Sequence, residues 1–76
     1  GDPLIDQRYV VNFESVGTTN YFPVGGFSIN GTDWNQSNDL ISSFKVISSS
    51  SFELYTREVA SQRQDVTFYY ALIPIQ

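Results

Sequence analysis

The sequence predicts an all-β fold, a small antiparallel β-sandwich of five to six strands. Three observations carry that expectation. Helical periodicity is nowhere sustained. In several windows β-branched and aromatic residues alternate with Ser, Thr, Asn and charged residues. The connections between those windows are too short to hold the crossover helix that parallel pairing requires.

Taken in order, Tyr9, Val11 and Phe13 alternate with Val10, Asn12 and Glu14, which gives a first strand from about Arg8 to Phe13 after a Pro3 lead-in. Val16-Gly17-Thr18-Thr19-Asn20 is turn chemistry. A second strand starts at Tyr21 and reaches Val24, where Gly25-Gly26 predicts a bulge or sharp bend before Phe27-Ser28-Ile29. Asn30-Gly31 is the strongest short turn signal in the chain, and Thr32 to Asp39 has no apolar period, so this is the longest loop. From Leu40 to Ile47 alternation returns, with Phe44 and Val46 on one parity and Ile41, Lys45 and Ile47 on the other. Four serines, Ser48 to Ser51, make the next turn. Phe52, Leu54 and Thr56 then face oppositely to Glu53, Tyr55 and Arg57. Glu58 to Gln64 is polar apart from Val59 and Ala60 and reads most simply as a hairpin loop, a short helical turn being the alternative.

The terminal run from Phe68 to Ile75 is aromatic or aliphatic at almost every position. Successive strand side chains point to opposite faces, so a run that is apolar on both parities asks for cover on both sides. A 76-residue domain buries only roughly 60–65% of the surface its unfolded chain exposes, and has little material for a second cover. With no cysteine and no histidine, disulfides and the commonest metal ligands are absent as staples. Self-association is the remaining one, and a homotrimer with Phe68, Tyr70 and Leu72 at the core or seam is expected. The chain reads as one domain over residues 1–76, the C-terminal module of a longer polypeptide, with Gly1-Asp2-Pro3 a cloning or processing scar.

A formal charge of −4, with only Arg8, Lys45, Arg57 and Arg63 cationic, makes a phosphate backbone an unsuitable partner, so nucleic acid is set aside. No stretch has the apolar length of a membrane span. Catalysis is not expected: a nucleophile and base would have to come from serine, carboxylate and one lysine, and no nucleophile-elbow spacing occurs. No cofactor is implied.

Asp33, Asn35, Ser37 and Asp39 stand at alternate loop positions, as in the opening of an EF-hand calcium loop. The sixth position is Asn38 instead of glycine and the twelfth Phe44 instead of glutamate, so no metal site is assigned. Asn30-Gly31-Thr32 and Asn35-Gln36-Ser37 fit the N-glycosylation pattern, which in so polar a loop speaks mainly for exposure. Trp34, flanked by Asp33 and Asn35, has two readings. One is a stacking platform for a sugar ring with hydrogen bonds from its neighbours; the other is a plug over the open end of the sandwich or a contact with another protomer. Arg57 shares a parity with Tyr55 and suits bidentate capture of a carboxylate or of vicinal hydroxyls. The alternative for the charged stretch holding Arg57, Glu58, Arg63 and Asp65 is an exposed tip or ion pairs between protomers.

From Leu40 onward the order is Leu40-Ile41-Ser42-Ser43-Phe44-Lys45-Val46, a serine turn, Ser51-Phe52-Glu53-Leu54-Tyr55-Thr56-Arg57, a polar loop, and Asp65-Val66-Thr67-Phe68-Tyr69-Tyr70-Ala71-Leu72. This resembles the C-terminal half of the H-type lectin fold, and the related trimeric modules at the tips of phage and other contractile-injection fibres. The resemblance implies a trimeric β-sandwich that binds a cell-surface glycan or receptor, outside the cell or on a virion surface. Arg57 matches a sugar-contacting arginine of that family, whereas its site histidine and its aromatic-Ile-Ala ending have no counterpart here, where Tyr70-Ala71-Leu72 stands. The sequence therefore leads to a lectin-like tip module with Trp34, Asp33, Asn35 and Arg57 at its site. A structural cap that registers three chains is the rival.

Overall fold

The computed structural model describes residues 6–59 and 64–75. Five strands, β1 (Asp6–Asn12), β2 (Tyr21–Ile29), β3 (Leu40–Ser48), β4 (Ser51–Glu58) and β5 (Val66–Pro74), form two antiparallel sheets, of order β1-β4-β3 and β2-β5. The sheets interlock: β1 reaches past β2 and β3 to pair β4 with Val11 opposite Phe52, and β2 pairs β5 with Phe27 opposite Phe68. Among the described residues the one helical element is a 3-10 turn, Trp34–Gln36.

Period-two alternation assigns the faces. In the three-stranded sheet Phe52, Leu54 and Thr56 are buried, as their parity predicts, and Val11 and Val46 lie opposite Phe52 on the same face. The partner sheet contributes Tyr21, Phe27, Phe68 and Leu72, and Phe13 closes the cluster. Phe52 is at 0% exposure, with the Tyr70 ring edge-on at 5.3 Å and Phe13 at 6.0 Å. Tyr21 ties the sheets together. Its hydroxyl lies 2.8 Å from the carbonyl oxygens of both Ser48 and Ser51 and shares its proton between them, while its ring meets Phe13 edge-on at 5.6 Å. Two rings and a hydroxyl therefore fasten β2 to the β3–β4 turn, where Ser48 pairs Ser51 after an irregularity beyond Val46.

Three expectations change. β2 is continuous through Gly25-Gly26, with Gly25 opposite Tyr70 and Gly26 opposite Tyr69 and no register shift. The glycine at 25 makes room: a Cβ there would stand 2.7 Å from the Phe68 ring and 2.5 Å from the Tyr69 carbonyl oxygen. Asn30-Gly31 makes no hairpin, because β2 and β3 belong to different sheets; among the described residues the positive-φ glycine is Gly17, at φ 80° in the β1–β2 connection. β4 and β5, on either side of Glu58 to Gln64, are not hairpin partners either, since β4 pairs β1 and β3 while β5 pairs β2; residues 60–63 between them lie outside the described residues. The Pro3 lead-in and Arg63 fall outside the described residues.

Candidate ligand-binding site

The β2–β3 connection is held by its own polar atoms and by the approach to β5. Asp33 caps the 3-10 turn: its carboxylate accepts the Asn35 N–H at 3.0 Å, and its carbonyl accepts the Gln36 N–H at 3.0 Å. Ser37 closes the turn through N–H and hydroxyl donors to the Trp34 carbonyl. Gln64 then bridges the loop, its amide donating to the Asn35 carbonyl at 2.9 Å and accepting the Asp39 N–H at 3.2 Å. The Asp65 N–H donates to the Gln36 carbonyl. Asn30 fastens the base, donating to the Asp65 carboxylate at 3.1 Å and accepting from the Thr67 hydroxyl at 2.7 Å.

From this pinned turn the Trp34 indole projects into solvent, 68% exposed, the highest value among the exposed large apolar residues described. An aromatic platform on a backbone already fixed loses little conformational freedom when it stacks. Asp33 and Asn35 stand on either side of it, both exposed. Part of their hydrogen-bonding capacity is used within the loop, the Asn35 Oδ1 accepting from Asn38. These bonds commit the Oδ1 of each residue to the turn. Among the described residues no three acidic, histidine or cysteine side chains form a metal-binding group.

Arg57 sits at the same end of the sandwich but on another surface, the outer face of the three-stranded sheet. Its guanidinium grips Asp6 bidentately, Nε to Oδ1 at 2.5 Å and Nη2 to Oδ2 at 2.9 Å. The hydrogen bonds hold the Asp6 carboxyl below the usual carboxylate range and push Arg57 further up. With Ile41, Ser43 and Tyr55 the pair lines a shallow groove of about 390 Å³. Tyr55 and Arg57 thus do share a face. Trp34 forms a separate locus, flanked by Asp33 and Asn35.

Phe68, Tyr70 and Leu72 project between the two sheets of one chain. Phe68 lies 5.3 Å from Phe27 and stacks on Tyr70 at 6.0 Å. The other parity of the terminal run, Tyr69, Ala71 and Ile73, is exposed on the outer face of the two-stranded sheet beside Val24, while Phe22, opposite Ile73, sets its ring edge-on to Phe44 of the three-stranded sheet at 5.0 Å. Sequence reasoning missed the scaffold roles of Gln64 and Asn30. A lone amide in a polar loop carries no local signal of its partner 25 to 37 residues away.

Fold and loop together define a small all-β module that presents an aromatic side chain on a braced turn. No family model, curated protein or solved structure matches this chain.

Proposed function

We propose that this chain is a non-catalytic carbohydrate- or receptor-binding module, lectin-like in operation, displayed in three copies on a fibre tip or surface protein. Its contact residue is Trp34. The exposure of that indole on a hydrogen-bonded turn carries the reading. A tryptophan serving only to close the end of the sandwich would be covered, and burying an indole is favourable enough that leaving one in water calls for another use. The apolar face of a sugar ring stacks on the indole, and the outward polar atoms of Asp33 and Asn35 bind its hydroxyls. The Tyr55 and Arg57 groove is an accessory surface for a longer glycan. A single open platform of this kind binds in the millimolar range, about −4 kcal/mol, and three linked copies raise that to useful avidity.

Since Trp34 is the only tryptophan, its fluorescence reports the site directly. Titration with a panel of mono- and oligosaccharides is expected to give a saturable change in intensity with one class of sugar. Trp34→Ala is expected to abolish attachment to glycan-coated surfaces at unchanged stability. Attachment that survives Trp34→Ala at full strength refutes the assignment and leaves the structural cap as the better reading.

A further inference from the structure

We infer that the space between the two sheets, at the Glu58 end of β4, is a binding site for a small arylalkylamine, an aromatic body carrying a protonated primary amine. At the opposite end Tyr21, Phe13 and Phe52 fasten the sheets beside the β3–β4 turn. Toward Glu58 the filling runs out. Leu54 is buried, yet Tyr9, its direct partner on the inward face of β1, is 49% exposed. A cavity of about 450 Å³ opens there, within the size range of small-molecule sites. Its apolar walls include Tyr9, Val11, Phe27, Leu54, Val66 and Phe68.

Two features select the occupant. The first is a buried hydroxyl. Thr56 follows Phe52 and Leu54 on the inward parity, lines the cavity and is only 8% exposed. Its hydroxyl makes no hydrogen bond with any described residue, so it stands ready to accept from a donor that enters the cavity. The second is charge. Asp65 and Glu58 bring carboxylates to the lining, and no described lysine or arginine joins them. The described cations stand instead on the outer face of the three-stranded sheet, where Arg57 binds Asp6, Arg8 binds Glu53 and Lys45 lies across from Glu53. Asp65 gives its Oδ1 to the Asn30 amide, which leaves Oδ2 for a ligand. The rings of Tyr9, Phe27 and Phe68 suit an aromatic body, and carboxylates favour a cationic head over an anionic one. Gln64 lines the cavity and also holds the Trp34 turn through Asn35 and Asp39. Neither the indole nor a second copy of the chain takes part.

The test is a titration of the isotope-labelled chain, read from its amide signals by two-dimensional NMR, with phenethylamine and with hydrocinnamate, which keeps the ring and reverses the charge. Phenethylamine is expected to saturate in the millimolar range and to shift the amides of Thr56, Asp65 and Val66, with hydrocinnamate about tenfold weaker. Asp65→Asn keeps an acceptor for Asn30 and is expected to weaken phenethylamine about threefold to fivefold while strengthening hydrocinnamate. Val66→Trp fills the cavity and is expected to abolish binding, with circular dichroism reporting its fold. Trp34→Ala is expected to bind phenethylamine as wild type does, whatever becomes of its sugar response. Absence of saturation overturns the inference, as does equal affinity for the two compounds. Shifts confined to the Trp34 turn, or loss of binding in Trp34→Ala, overturn it by assigning the amine to the exposed indole. So does wild-type affinity in a folded Val66→Trp.

Discussion

Tyr21 concentrates more of the fold than any other side chain. It is 3% exposed, it joins the two sheets through the Ser48 and Ser51 carbonyls, and burial raises its phenol above the ordinary range. A phenol raised in the folded state contributes stability that is complete below its unfolded value and is lost as pH rises through the folded one. Unfolding is therefore expected to become easier above pH of about 10. Tyr21→Phe should cost about 1 kcal/mol at neutral pH by leaving the two carbonyls without their donor, and should flatten that alkaline decline. Urea titrations of both proteins at neutral and alkaline pH measure the two effects. At the same scale Trp34 was readable from sequence as an aromatic in a polar loop, but its exposure was not. The atoms that hold its turn, above all the Gln64 amide, come from distant sequence.

Among the elements, β4 was the most legible. Phe52, Leu54 and Thr56 alternate cleanly with polar or amphipathic residues, and a central strand with one covered face repeats that pattern without exception. β2 was least legible, because a glycine pair in a strand signals a bulge as readily as a close approach. Here the two glycines serve opposite faces. Gly25 admits the Phe68 ring on the inside, and Gly26 faces open space outside. Gly25→Ala is accordingly expected to destabilise by about 1–3 kcal/mol through overpacking against backbone and ring. Gly26→Ala should be neutral or stabilising by about 0.4–1 kcal/mol through the unfolded chain, and thermal melts of the pair distinguish them. Pro23 is tolerated in the same strand, and buried there, because both members of a two-stranded sheet are edges. The Asn30-Gly31 signal misled for another reason: local turn propensity is blind to which sheet the next strand joins.

For the molecule as a whole, the sandwich was predictable from patterning, while the pairing of strands was not, since periodicity fixes faces and leaves partners open. The three-and-two arrangement divides the surface. The three-stranded sheet holds the ion pairs Arg8–Glu53 and Arg57–Asp6, while the two-stranded sheet is uncharged. The interlocked order also governs how the chain comes together in time. β3 and β4 meet through a tight serine turn and form within microseconds, as hairpins do. β1 with β4 and β2 with β5 each close loops of tens of residues before any contact rewards them. Refolding is thus expected on the slow side for so short a chain, in the millisecond-to-second range of sandwich topologies, and stopped-flow fluorescence reads it directly. During synthesis β2 has no sheet partner until β5, three strands later, has emerged, so its pairing edge waits unfilled while β3 and β4 are made. That interval, more than the finished fold, is when the chain is most exposed to aggregation.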